Sequence, residues 1–143
     1  MTNPATGDPG VDLAHYFPAW LKNLADDVTL EGSMMDGFVQ GPDTVRTVIV
    51  AIRELYDHQN FNSVGRYGEN GWIEDYTAGV RGEPIHNITL VTSNAAGQAQ
   101  RIVGNYRPRS TLLVLSRLLG EKFAGTPIAE HFSPADPEEG GSS

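Results

Sequence analysis

The sequence contains no cysteine, which removes disulfides, thiolate metal sites, iron–sulfur clusters and cysteine nucleophiles together. It is also poor in positive charge. Ten Lys plus Arg stand against 18 Asp plus Glu, giving a formal net charge of −8 and a pI near 4.8. Affinity for nucleic acid depends on basic side chains displacing counterions, so no nucleic-acid partner is expected. The same deficit disfavours an anionic membrane surface. No apolar run approaches the roughly 18 residues of a membrane-spanning helix. The opening Met1-Thr2-Asn3-Pro4 lacks the basic and apolar regions of a secretion signal. The expectation is a cytoplasmic protein with no membrane contact.

What is present is the composition of one globular domain. The 143 residues are 39% hydrophobic; the 16 glycines bring apolar plus glycine to about half, the usual share. Residues 1–8 are polar and read as a mobile N-terminus, 9–125 as the domain, and 126–143 as a tail, disordered from about 133, where Pro, Glu, Gly and Ser dominate. Asp8-Pro9 is a helix start signal, with a short helix expected to Tyr16 and a second from Pro18 carrying Trp20, Leu21 and Leu24. Val28-Thr29-Leu30-Glu31 alternates as a strand does. Gly41-Pro42-Asp43 opens the clearest helix, in which Val45, Val48, Ile49, Ile52, Leu55 and Tyr56 recur at helical spacing and Arg46, Arg53 and Glu54 take the wet face. From Phe61 the period becomes two. Strands are expected near 61–67, 71–81, 84–93 and 99–109, followed by a leucine-rich helix over 111–123. Helices first and a meander afterwards imply an α+β fold with helices on one face of a curved, mostly antiparallel sheet.

Four local motifs carry a resemblance. They are Leu24-Ala25-Asp26-Asp27-Val28-Thr29-Leu30-Glu31, Gly41-Pro42-Asp43-Thr44-Val45-Arg46, the hairpin Gly79-Val80-Arg81-Gly82-Glu83-Pro84, and Gly97 leading to Val103-Gly104-Asn105-Tyr106-Arg107-Pro108. In this order, over roughly residues 12–110, they resemble the NTF2-like superfamily, the cone-shaped α+β roll of ketosteroid isomerases, SnoaL-like polyketide cyclases and limonene-type epoxide hydrolases. Two departures are the short first helix and the extra C-terminal helix. The resemblance implies a small hydrophobic ligand in the cone and a homodimer through the outer sheet face. It also permits a test of isomerase chemistry, which needs a carboxylate base and a protonated acid or tyrosine at the developing enolate oxygen. The matching positions hold Gly32 and Thr89. Both ionisable groups are missing, and the usual isomerase route is not expected; Asp36 in the adjoining loop is a candidate substitute base.

Strand alternation aims Trp72, Glu74, Tyr76 and Ala78 into the cone, then Ile85, Asn87, Thr89 and Val91, then Ile102, Gly104 and Tyr106. Glu74 is the candidate acid–base residue, because a carboxyl facing an apolar cavity has its pKa pushed upward. The competing reading places it at a hydrated mouth. Tyr76, Tyr106, Asn87 and Thr89 are candidates to orient or polarise an oxygen, with Trp72 and Ile102 as apolar contacts. Tyr76 and Tyr106 read equally well as core aromatics. A one-residue bulge would instead turn Asp75 and His86 inward as an acid–base pair. The four histidines stand far apart in the sequence, and neither a metal nor any other cofactor is expected. Two functions are open: an isomerase, cyclase or hydratase/hydrolase, and a non-catalytic ligand-binding or dimeric interaction domain.

Overall fold

Proline and glycine punctuate the chain where the elements change. The computed structural model describes residues 11–132. Its helices are α1 (Pro42–Glu54) and α2 (Arg109–Lys122), and its strands are β1 (Leu24–Gly32), β2 (Phe38–Gln40), β3 (Tyr56–Tyr67), β4 (Gly71–Val80), β5 (Glu83–Ser93) and β6 (Ala99–Arg107). Single 3-10 turns lie at Leu13–His15, Ala19–Lys22 and Pro127–His131. The six strands form one sheet in the order β2-β1-β6-β5-β4-β3. The β1–β6 pair is parallel and every other pair antiparallel. This is the expected α+β arrangement.

Helix α1 starts where the sequence signals it. Gly41 sits at φ +99°, Pro42 occupies the first turn, where its missing N–H costs nothing, and Asp43 complements the positive end of the helix dipole. Val45, Val48, Ala51 and Ile52 are buried against the sheet. Helix α2 buries Leu115, Leu118 and Leu119 beside α1 and the inner face of β4–β6. Strands β4 and β5 join through Arg81 (φ +52°) and Gly82 (φ +83°), the two positive-φ residues that a tight hairpin twist requires.

Several element boundaries differ from the sequence expectation. The expected start at Asp8-Pro9 lies outside the described residues, as does the tail from residue 133. Around Tyr16 the chain makes only a three-residue 3-10 turn. The second expected helix shrinks to Ala19–Lys22, because Leu24 pairs with Ala99 and is drawn into β1; strand pairing overrides the local helical pattern. Tyr56 does not end α1. It pairs with Val80, so β3 begins five residues earlier than the alternation suggests. Past α2 the packed chain continues: Phe132 is 3% exposed and its ring stacks on Phe123, centroids 6.4 Å apart.

Candidate functional site

The pleat of β4, β5 and β6 decides what enters the cone. Glu74, Tyr76 and Ala78 are buried on the face that meets α1, while Asp75 and Thr77 between them are half-exposed. On β5 the inward residues are Ile85, Asn87, Thr89 and Val91; on β6 Ile102 and Gly104 are buried inside and Tyr106 is half-buried. The opposite face holds Asp75 and His86, which do not enter the cone. They meet each other there, His86 Nε2 and Asp75 Oδ1 being 2.6 Å apart, and Asn62 Nδ2 donates to the same Asp75 oxygen at 3.2 Å. Register shifts do occur in the β3–β4, β5–β6 and β1–β6 pairings, but β4–β5 runs in register throughout. The alternation of β4 is therefore preserved.

Between this face and α1 is a cavity of about 50 Å³, bordered by Glu74, Tyr76, Asn87, Thr89, Ile102 and Tyr106 from the sheet and by Ile49, Ile52 and Arg53 from α1. Pockets for drug-sized ligands run to several hundred Å³, so the cone is largely filled by its own side chains. Arg53, expected on the wet face of α1, borders the cavity, with its guanidinium 5.1 Å from the centre of the Phe17 ring. Trp72 is half-buried against the core and does not border the cavity. Asp36 is exposed and does not border the cavity.

Two polar groups stand in this apolar space. The first surrounds Glu74, which is 2% exposed. Its Oε2 accepts a short hydrogen bond from the Tyr16 hydroxyl and one of 2.8 Å from Trp20 Nε1. Tyr16 in turn accepts from Trp72 Nε1 at 2.7 Å. Burial raises the pKa of Glu74. The hydrogen bonds from Tyr16, Trp20 and Trp72 and the charge of Arg53 pull it the other way without cancelling that rise. Burial, followed by the neighbouring Glu74 charge, pushes Tyr16 far above the usual phenol range, so Tyr16 keeps its proton and donates.

The second group is a trio of phenols. The Tyr56 hydroxyl is 2.7 Å from that of Tyr76 and 3.1 Å from that of Tyr106, and Tyr76 and Tyr106 stand 3.5 Å apart. Asn87 Nδ2 donates to Tyr76 at 2.7 Å and to Thr89 Oγ1 at 2.8 Å, while Asn87 Oδ1 accepts the Asn105 N–H at 3.0 Å. Burial raises all three phenol pKa values. The trio therefore holds three protons. Its two shorter contacts use two, and the third is left with the longest contact, the 3.5 Å between Tyr76 and Tyr106.

The site as built includes residues that the sequence reading passed over. Tyr16 and Trp20 arrive from the segment before β1, and Tyr56 was assigned to the helix stripe. The trace of the first two is the run of three aromatics around Pro18, Tyr16, Phe17 and Trp20. The position matching the isomerase base is also explained. A Cβ built on Gly32 would lie 2.2 Å from the carbonyl oxygen of Gly104, so the close parallel approach of β1 and β6 excludes any side chain there.

No protein-family model matches the sequence, and no curated protein matches it either. Solved structures do match in fold. An uncharacterised bacterial protein with a cystatin-like fold from Silicibacter pomeroyi DSS-3 superposes with a TM-score of 0.69 at 18% identity, over 74% of each chain. A steroid delta-isomerase from Pseudomonas aeruginosa gives 0.68 at 15% identity, over 75% of this chain and 79% of that one. An NTF-2-like protein of unknown function from Burkholderia xenovorans LB400 gives 0.52 at 12% identity, over 63% and 73%. The fold is the NTF2-like roll, as the sequence motifs suggested. Among the described residues, no helix is long and apolar enough to cross a membrane.

Proposed function

We propose that the cone is a small-molecule site in which Glu74 moves a proton on a hydrophobic substrate while the tyrosine trio polarises an oxygen of the same molecule. The reaction classes that fit are isomerisation, cyclisation and hydration or hydrolysis. The observation that carries this reading is a carboxyl only 2% exposed, on the same cavity wall as the phenols of Tyr76 and Tyr106. Its raised pKa brings it toward the range in which general acid–base transfer is efficient. The route is not that of an isomerase with a base at Gly32, since Gly32 has no room for one.

The test is a panel of cyclic enones, terpenoid alcohols and epoxides, and polyketide-like enols, followed for substrate loss with wild type and Glu74→Gln. Turnover by wild type, falling at least about a hundredfold in the variant with binding little changed, is the expected result. Equal turnover removes the role of Glu74. A second reading, a ligand-binding or dimeric interaction domain without chemistry, is favoured by two observations: Tyr16 and Trp20 already engage Glu74, and the cavity is only about 50 Å³. Binding without turnover across the panel would support it.

A further inference from the structure

Tyr16 differs from the other aromatics of the site in how it is held. It belongs to a strap, residues 11–23, that contains only 3-10 turns. The backbone hydrogen bonds up to Lys22 are local, His15 to Asp12, Tyr16 to Leu13, Leu21 to Pro18 and Asn23 to Trp20; only at its end is the strap tied to β6, where the Asn23 carbonyl accepts the Ala99 N–H at 2.9 Å. Side chains attach the strap to the body: Tyr16 and Trp20 reach Glu74, and Arg46 Nη2 donates to the Leu21 carbonyl at 3.2 Å. Asp12, Ala14, His15 and Phe17 are exposed around the half-buried Tyr16.

The slot that receives Tyr16 has the features of a ligand site. Its ring meets Phe61 edge-on, centroids 4.7 Å apart at 75°, and lies against Trp72 at 6.4 Å and 23°. Both are favoured aromatic geometries. Its hydroxyl donates to a carboxylate and accepts an indole N–H, so both functions of a phenol are matched. The polar and apolar parts of the slot come from β3 and β4, not from the strap. The slot also adjoins the cavity of about 50 Å³ that Glu74 borders.

We propose that Tyr16 is an internal occupant of a phenol-binding subsite, and that the natural ligand of the cone carries a planar hydroxyl, a phenol or an enol, which displaces Tyr16 and donates to Glu74 in its place. This rests on the reading of the cone as a small-molecule site and supplies its ligand class. The ligand and Tyr16 compete for one slot, so apparent affinity is reduced by the fraction of time the strap is closed.

The probe is p-cresol, the tyrosine side chain as a free molecule, with toluene as the match lacking the hydroxyl. The chain has two tryptophans, Trp20 and Trp72, and both hydrogen-bond within the site. Their two indole N–H resonances in ¹H–¹⁵N spectra therefore report occupancy directly. Wild type, Tyr16→Ala and Tyr16→Phe are titrated with both compounds. Expected are shifts of both indole signals with p-cresol, binding about tenfold or more tighter to Tyr16→Ala than to wild type, and toluene at least about tenfold weaker than p-cresol. Tyr16→Phe keeps the ring and loses the donor, and its affinity for p-cresol should fall between the other two; it carries the test if Tyr16→Ala does not fold. Equal p-cresol affinity in wild type and both variants overturns the internal competitor. Toluene binding as well as p-cresol overturns the phenol assignment while leaving a ligand site. No binding of either compound to any of the three proteins overturns the cone as a ligand site altogether.

Discussion

Replacing Glu74 by Gln sets two contributions against each other with nearly the same shape in place. The glutamine carbonyl oxygen accepts the same two donors, Tyr16 and Trp20. A bond to a neutral acceptor is weaker than one to a carboxylate by about 1 kcal/mol, so the pair loses about 2 kcal/mol. In return the variant no longer buries an ion, a penalty of several kcal/mol in real proteins. Burial is the largest influence on Glu74 and outweighs its donors and Arg53, which is why its pKa is raised. Desolvation wins. The variant is therefore expected to exceed wild type by about 1–3 kcal/mol once Glu74 is ionised.

The pH dependence follows from the direction of the shift. Below the ordinary glutamate range Glu74 carries its proton in both folded and unfolded states, and its contribution to wild-type stability is fully present. As pH rises through that range toward the raised folded value, the unfolded chain releases its proton first and wild-type stability falls. The other carboxylates titrate alike in the two proteins and cancel in the difference. Urea denaturation from about pH 4 to 8, followed by tryptophan fluorescence, gives that difference directly. It should start near zero and rise in favour of Glu74→Gln. If wild type gains on the variant as pH rises, the donors outweigh desolvation, and Glu74 is an ionised anchor with no tuning toward proton transfer.

Further substitutions test the frame around the site. Asn87→Ala leaves Tyr76, Thr89 and the Asn105 N–H short of their shared partner and should cost about 2–4 kcal/mol by urea denaturation, with the m-value unchanged. Gly32→Ala forces a Cβ to within 2.2 Å of a backbone oxygen and should lower stability by about 1–3 kcal/mol or abolish soluble expression; a variant with the wild-type urea midpoint would contradict the packing of β1 on β6. Arg81→Asn places a residue that tolerates positive φ at a position now at +52° and should raise the thermal midpoint slightly, for a gain of about 0.5 kcal/mol.

Period-two alternation made the inner wall of the cone readable in advance. Glu74, Tyr76, Asn87, Thr89 and Ile102 were aimed inward by counting alone, and β4–β5 runs without a bulge, so the count holds along both strands. Alternation fails where tertiary pairing decides. Tyr56 continues the apolar spacing of α1 by one turn, yet its pairing with Val80 makes it the first residue of β3. The strap was illegible for another reason. Its apolar residues fall at helical spacing and suggested helices, while the partners of Tyr16, Phe61, Trp72 and Glu74, lie some 45–58 residues away. A local pattern carries no information about such contacts. Asp75 and His86 show the converse: a bulge in β4–β5 would have turned them inward, but that pairing has none, and the two close on each other outside.

The two polar groups of the cone are built in different ways, and the difference bears on what each can do. The hydroxyls of Tyr56, Tyr76 and Tyr106 come from β3, β4 and β6, with Asn87 of β5 bonded to the middle one. Their separations are set by sheet register, and moving one means breaking strand pairs. Glu74 also stands on the sheet, but two of the groups around it, Tyr16 and Trp20, belong to the strap, whose backbone is bonded locally up to Lys22. An acid–base group must exchange partners during a reaction, whereas a group that stabilises charge works best when it cannot move. The sheet supplies the fixed donor and the strap supplies the exchangeable partners. If the cone carries the proton transfer proposed above, the role of base falls on Glu74, because the carboxylate is the polar group whose partners are held by the strap and not by the sheet.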